Sequence, residues 1–249
     1  MAQRLSIIIT FILIGLKLFS QTSQNDFSFK SPDSIGKLKS VKLWSTQYFI
    51  HKFDSKGNIP IIDQDGNPMN LYADTCNFCE AALEGTAYVT DSLGVVTIIN
   101  FAKTGKKALV NCRLCKKYFK SKLEVESWGK TLWKKTTGFG DGVKNYKLIP
   151  FRTIAVDTKV IPYGTVLFIP QLKGKTIKLP NGVTVIHDGY LFAGDTGGAI
   201  KKNHIDTFTG ILSANPFPEV IKSNEKKTFD AYIVNDPQII KSLTRTQTK

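Results

Sequence analysis

The residues best suited to chemistry lie in the second half of the chain. Asp157 sits within Ala155-Val156-Asp157-Thr158-Lys159-Val160-Ile161-Pro162-Tyr163-Gly164-Thr165. Asp195 sits within Ala193-Gly194-Asp195-Thr196-Gly197-Gly198-Ala199-Ile200, and Asp206 closes Asn203-His204-Ile205-Asp206. Each carboxyl stands at the end of a short apolar segment, where a strand can hold it against a partly desolvated surface. A carboxyl with a raised pKa can donate and recover a proton near neutral pH. Gly197 and Gly198 let the backbone turn sharply and let a ligand come close.

Asp195-Thr196-Gly197 is also the spelling of an aspartic-protease site. That chemistry needs two carboxylates sharing one proton. The chain holds the tripeptide once, so a single-chain enzyme of that kind is excluded. No His/Cys/Asp spacing suggests a catalytic metal, and no Ser-His-Asp set is readable. His51 and His187 have no partner visible in the sequence.

The four cysteines form two pairs, Cys76/Cys79 and Cys112/Cys115, each with CxxC spacing. Four thiolates suit a tetrahedral structural zinc. An oxidising compartment favours disulfides instead, a CxxC redox site is a third reading that lacks a thioredoxin-like βαβ context, and the spacing alone leaves zinc and disulfides open. Either way the pairs staple a segment rather than carry the reaction.

The elements that must position the aspartates read as β-structure. Residues 41–50, 86–90, 95–99, 153–156, 166–169, 176–179, 183–186, 190–192 and 229–234 are short apolar or β-branched runs bounded by turn residues. Asn181-Gly182 marks a tight hairpin. Residues 54–70, with Gly57, Pro60, Gly66 and Pro68, read as loops. Short helices are expected over 74–83, 116–126 and 219–224. At the N-terminus Arg4 precedes an apolar run over 5–16, and Ser20 offers a small residue for cleavage, the pattern of a secretory signal peptide. The run is shorter than the roughly 20 residues of a membrane span. The expected organisation is a signal peptide over 1–20, a flexible lead-in over 21–39, a β-barrel over 40–235 interrupted by an insert over about 51–140, and a C-terminal tail over 236–249. An exported chain, periplasmic or secreted, with no stable membrane anchor follows. The formal charge of +14 favours polyanionic partners. Export turns that preference away from nucleic acid and towards an anionic cell wall.

The string AVDTKVIPYGT…AGDTGGAIKKNHID resembles the "3D" (three-aspartate) domain of bacterial wall proteins, a family that includes the catalytic region of membrane-bound lytic transglycosylases and stationary-phase muralytic enzymes. The likeness covers about residues 150–210 with all three aspartates, the Ile161-Pro162-x-Gly164 turn and the DTGGAI block; residues 42–50 resemble the first barrel strand more weakly. It implies a mainly β fold: a six-stranded double-psi β-barrel with few short helices. Two departures are an extra hairpin around Asn181-Gly182 and the cysteine-bearing insert.

The resemblance implies lytic cleavage of the MurNAc–GlcNAc β-1,4 bond of peptidoglycan, giving 1,6-anhydro-MurNAc ends. Ordinary glycosidases use two carboxyls. In the lytic reaction the C6 hydroxyl of MurNAc replaces water, so one carboxyl can act as acid and then as base, with no catalytic cofactor. Asp206, between Ile205 and the apolar Phe208, is the expected acid/base, and Asp195 shapes the site and its proton affinity. Asp157 completes the catalytic trio, with a structural reading beside it: hydrogen bonds to backbone N–H groups that hold the barrel. Thr196, Gly197, Gly198, Lys201 and His204 are expected to contact substrate. Lys202 can share the carboxylate-binding role of Lys201, and His204 can orient Asp206. Tyr48, Trp128 and Trp133 are candidates to stack on sugar rings. The expected partner is the glycan strand, bound by a monomer. Competing readings are a non-catalytic wall-binding module of the same fold, a hydrolysing muramidase, and a zinc-ribbon nucleic-acid binder that the signal peptide and the DTGGAI block oppose.

Overall fold

A computed structural model describes residues 27–211 and 214–248. Residues 1–20, read from the sequence as a signal peptide, and the first residues of the expected lead-in lie outside them. Six strands close into a barrel in the order β1-β13-β8-β12-β9-β14. They are β1 (Ser40–Tyr48), β8 (Thr153–Ala155), β9 (Val166–Phe168), β12 (Tyr190–Asp195), β13 (His204–Phe208) and β14 (Phe229–Ile233). Two neighbouring pairs run parallel, β1 with β13 and β8 with β12, and the other contacts are antiparallel. A barrel this narrow is filled by its own side chains. Leu43, Ile154, Val156, Leu167, Leu191, Ala193, Ile205 and Ala231 form that core.

The insert is a second layer with its own core. Strands β2 (His51–Asp54), β5 (Thr86–Thr90), β6 (Val96–Thr104) and β7 (Thr131–Lys135) form a sheet in the order β2-β5-β6-β7. Helix α1 (Thr75–Glu84) packs on it, and Phe53, Ile61, Phe78, Val89, Ile99 and Trp133 fill the space between. Asp74 caps α1 by accepting from the N–H of Asn77 at 2.9 Å, and Gly85 ends it in the left-handed region at φ 79°. Residues 54–70 are not all loop. They contain β3 (Ile59–Ile62) and the start of β4 (Pro68–Ala73), a two-stranded hairpin. Pro60 and Pro68 are tolerated because a two-stranded ribbon has edges that need no donor. A second small hairpin joins β10 (Thr176–Lys178) to β11 (Thr184–Ile186) around Asn181-Gly182.

The cysteines settle as two disulfides, Cys76–Cys115 and Cys79–Cys112, with no free thiol among the described residues. The zinc alternative therefore gives way, because no thiolate is left to bind a metal. The bridges tie α1 to the segment after β6. That segment is not the helix expected over 116–126; a single 3₁₀ turn spans Lys116–Tyr118. Arg113 donates to the carbonyls of Tyr118, Ser121 and Leu123, which takes those acceptors away from any helix.

Both ends of the described chain are more ordered than the sequence suggests. Phe27 is buried in the barrel core and lies under the guanidinium of Arg152 at 4.3 Å. The N–H of Phe29 donates to Asp188, whose carboxylate pairs with the buried Arg152 at 2.8 Å. Residues 27–39 are thus clamped to the barrel. The C-terminal segment is helix α3 (Pro237–Gln247), which follows the short α2 (Pro218–Ile221) and packs on β12. Its Leu243 packs with Tyr190 and Phe192 of that strand and with Val166 and Phe168 of β9 on the outer face of the barrel. Cover on both faces explains why β12 reads as an unbroken apolar run.

Candidate active site

Strand register builds the site. In the parallel pairing of β1 and β13, Trp44 lies beside His204, Thr46 beside Asp206 and Tyr48 beside Phe208. Side chains alternate along a strand, so these three pairs share one face, and Leu43, Ser45, Ile205 and Thr207 take the other. Each pair makes a contact. The rings of Trp44 and His204 stack with centroids 3.6 Å apart and planes 4° from parallel. The hydroxyl of Thr46 donates to Asp206 Oδ1 at 2.8 Å. Tyr48 and Phe208 pack at 5.0 Å.

Asp195 reaches the same face through a bulge. In β12 the register shifts between Ala193, which pairs with Ile154, and Asp195, which pairs with Ala155. The extra residue, Gly194, turns Asp195 away from the barrel core that Ala193 enters. Asp206 also pairs with Ala155, from the other side. The two carboxyls therefore flank one small buried alanine, with two strand spacings, roughly 9–10 Å, between their Cα atoms.

Burial pushes the carboxyl of Asp206 up to about 7, with the charge of Asp195 adding to the rise and the Thr46 hydroxyl opposing it. Asp195 is pushed up to about 6, again mainly by burial, against hydrogen bonds from Tyr48 and from the N–H of Thr196. The Tyr48 hydroxyl donates to Asp195 Oδ2 at 2.8 Å, and the Thr196 N–H donates to Oδ1 at 2.8 Å. His204 Nε2 lies 2.8 Å from the same Thr46 hydroxyl that reaches Asp206. Burial lowers the proton affinity of His204, which favours the neutral ring. Thr46 has one proton for two neighbours. When Asp206 is protonated, its O–H can donate to Thr46 while Thr46 donates to His204. The three groups can thus pass from one protonation state to the other by hydroxyl rotation.

The other sequence candidates divide. Thr196, Gly198, Lys201 and Lys202 are exposed on the loop between β12 and β13, with Thr196 next to Asp195 and Lys202 bonded to Asp157. Gly197 is half-buried, and a Cβ there would come within 2.8 Å of Ile200. Asp157 is separate from Asp195 and Asp206 in kind: its two oxygens accept from the N–H groups of Lys159 at 3.0 Å and Lys202 at 2.8 Å. Those bonds hold its carboxyl below the usual range. Tyr48 is in the site, as a donor to Asp195. Trp133 is fully buried in the insert core, and Trp128 packs edge-on against Tyr118 at 5.0 Å. Trp44, which sequence reasoning passed over, is the tryptophan at the site. His51 and His187 do have partners, Asn77 Oδ1 and the carbonyl of Phe151, each at 2.8 Å.

Sequence reasoning also missed Glu84. It ends α1, and its Oε2 accepts from the N–H of Phe49 at 2.9 Å, one residue beyond Tyr48. Burial pushes it up to about 8, with Asp206 the leading charge acting in the same direction.

A closed six-stranded barrel of this order, with Asp195 at the bulge of β12 and Asp206 on β13 across β8, is a double-psi barrel. Residues 152–215 match the family model of the 3D domain. The fold is that of the MltA proteins. The crystal structure of Escherichia coli MltA with bound chitohexaose is 16% identical, with 77% of this chain and 71% of that one covered and a TM-score of 0.50. A membrane-bound lytic murein transglycosylase from Agrobacterium tumefaciens is 14% identical, with 82% and 78% covered and the same TM-score of 0.50. No curated protein sequence is similar enough to count as a match.

Proposed function

We propose that this protein is a peptidoglycan lytic transglycosylase in which Asp206 is the acid/base. The observation that carries the reading is the half-buried carboxyl of Asp206, which accepts from the Thr46 hydroxyl at 2.8 Å and is pushed up to about 7 by burial. Such a group holds a proton near neutral pH and can give it to the leaving glycosidic oxygen. The resulting carboxylate then takes the proton of the MurNAc C6 hydroxyl as that oxygen closes on C1. Asp195 adds negative charge beside it, which favours the protonated starting state and suits a positively charged, oxocarbenium-like transition state. Tyr48 and the Thr196 amide hold Asp195 in place. The exposed Thr196, Gly198, Lys201 and Lys202 lie on the loop that joins the strands of Asp195 and Asp206, where lysines suit the carboxylates of lactyl groups and stem peptides. His204, stacked on Trp44, orients Asp206 through Thr46 rather than touching the sugar itself. Asp157 has a structural role: it ties the loop after β8 to Lys202. The fold shared with MltA, one of whose structures holds chitohexaose, supports a glycan strand as the ligand. An exported protein, acting in the cell envelope, fits that ligand.

The test compares the release of soluble fragments from purified sacculi by wild type and Asp206→Asn. Removal of a general acid–base group costs about 10²- to 10⁴-fold, so the variant should release essentially nothing while still pelleting with sacculi. Equal release by both proteins contradicts the assignment. Pelleting without release by either one marks a wall-binding module.

A further inference from the structure

The insert carries a surface that the proposed reaction does not use. Residues 113–123 hold five cationic side chains and no carboxylate. Within that segment Leu114 is 74% exposed, Phe119 67% and Leu123 42%. Single exposed apolar residues are ordinary on a protein surface, whereas a cluster of them marks a contact. Leu114 and Phe119 line one open groove together with Lys116, Lys117 and Lys120. The loop is built to hold them outward. Cys112, Cys115, Tyr118 and Val125 turn inward and, with Cys79, fill a small core to which Leu114 and Phe119 do not belong. The two disulfides fasten that core to α1. Arg113 turns its guanidinium into the loop, donating to the carbonyls of Tyr118, Ser121 and Leu123 and to the Glu126 carboxylate. A backbone that enters a water-poor layer must have its carbonyls satisfied, and here one side chain serves three of them.

We propose that this disulfide-tied loop docks on an anionic phospholipid bilayer, with Leu114 and Phe119 entering the interface and the lysines meeting the lipid phosphates. Lys117 pairs with Glu80 at 2.6 Å, while Lys116, Lys120 and Lys122 are exposed and flank Phe119 in sequence. The run of cations selects an anionic surface. The exposed leucine and phenylalanine select a bilayer over a soluble polyanion or a glycan strand, neither of which offers hydrocarbon for a leucine to enter. Lysines set around an apolar patch can bury their stems while their ammonium groups stay at the phosphate level. The contact is peripheral and reversible, since a few interfacial side chains fall far short of a spanning helix. It is independent of the chemistry given to Asp206. Helix α1 ends at Glu84, which accepts from the N–H of Phe49 beside Tyr48, so one covalently stapled frame joins the docking loop to the barrel.

The experiment is co-sedimentation of residues 21–249, which contain every described residue and lack the apolar run over 5–16, with lipid vesicles. One set of vesicles mixes phosphatidylglycerol with phosphatidylethanolamine, and the other is phosphatidylcholine alone. The protein should pellet with the anionic set and stay in solution with the neutral one, and added salt should release it. Leu114→Ser with Phe119→Ser should weaken binding about tenfold or more, as loss of buried apolar surface demands. Lys116→Gln with Lys120→Gln should weaken it about 25-fold, at roughly fivefold per lysine. All four side chains are exposed and outside the site, so both variants should melt with wild type and release sacculus fragments at its rate. No pelleting with anionic vesicles, equal pelleting with neutral ones, or binding that neither variant changes overturns the proposal. Binding that falls with the lysines alone also overturns it and marks a surface for soluble polyanions. So does loss of pelleting on sacculi, rather than on vesicles, in the Leu114/Phe119 variant, which marks a wall contact.

Discussion

At the residue scale, similar carboxyls are driven apart by their surroundings. Asp157 accepts two backbone N–H bonds and lies near Lys159 and Lys201, so its charged form is favoured. Asp195 and Asp206 are half-buried among hydroxyls and apolar rings, so their neutral forms are favoured. The consequence for stability has a definite sign. Asp206 titrates near 3.9 in an unfolded chain and about 7 when folded. The folded state therefore binds the extra proton between these values, and its contribution to stability is full below about 4 and lost as pH rises through about 7. Asp206→Asn, which cannot ionise, should melt above wild type at pH 8, with the gap closing towards pH 4. Thermal unfolding of both proteins across this range checks it, and a gap that widens on acidification would contradict it.

At the element scale, the site depends on one parallel register and one bulge. Sliding β13 by a residue against β1 would turn His204 and Asp206 into the barrel and Ile205 out of it. The bulge at Gly194 rests on Gly142, where an added Cβ would lie 2.2 Å from the Gly194 carbonyl oxygen. Gly142→Ala should cost about 1–3 kcal/mol, as overpacking does, and should lower fragment release by displacing Asp195. A denaturant melt and the release assay check both parts, and an alanine variant equal to wild type in each would refute the role given to the bulge. The strands legible in the sequence were those with unbroken apolar runs, such as β5, β9 and β12. Strand β13 was legible as a motif but not as a strand, because His204 and Asp206 make its open face polar. Strands β3 and β4 were hidden by Pro60 and Pro68. Helix α3 was hidden in a polar C-terminal segment whose few buried residues include Leu243 and Gln247.

At the scale of the whole molecule, the barrel and the insert have separate cores joined by a third cluster of Tyr48, Ile50, Tyr88, Ile98, Phe139 and Phe208 beside the site. Asp206 and Asp195 could be found from their motif. Glu84 could not, because no local pattern marks a helix end that long-range packing brings to the barrel. The disulfides hold that helix, so reduction should loosen the insert by about 2–4 kcal/mol per bridge at most. The barrel core should persist while fragment release falls. Melting and release with and without a thiol reductant test this; an insert that melts unchanged after verified reduction would show that the bridges are not what fixes α1. The central claim is tested most directly by the mass of the fragments that wild type releases from sacculi. Anhydro-muropeptides, formed without water, are the predicted product. Reducing-end fragments heavier by one water would contradict the lytic reaction and make the protein a hydrolase.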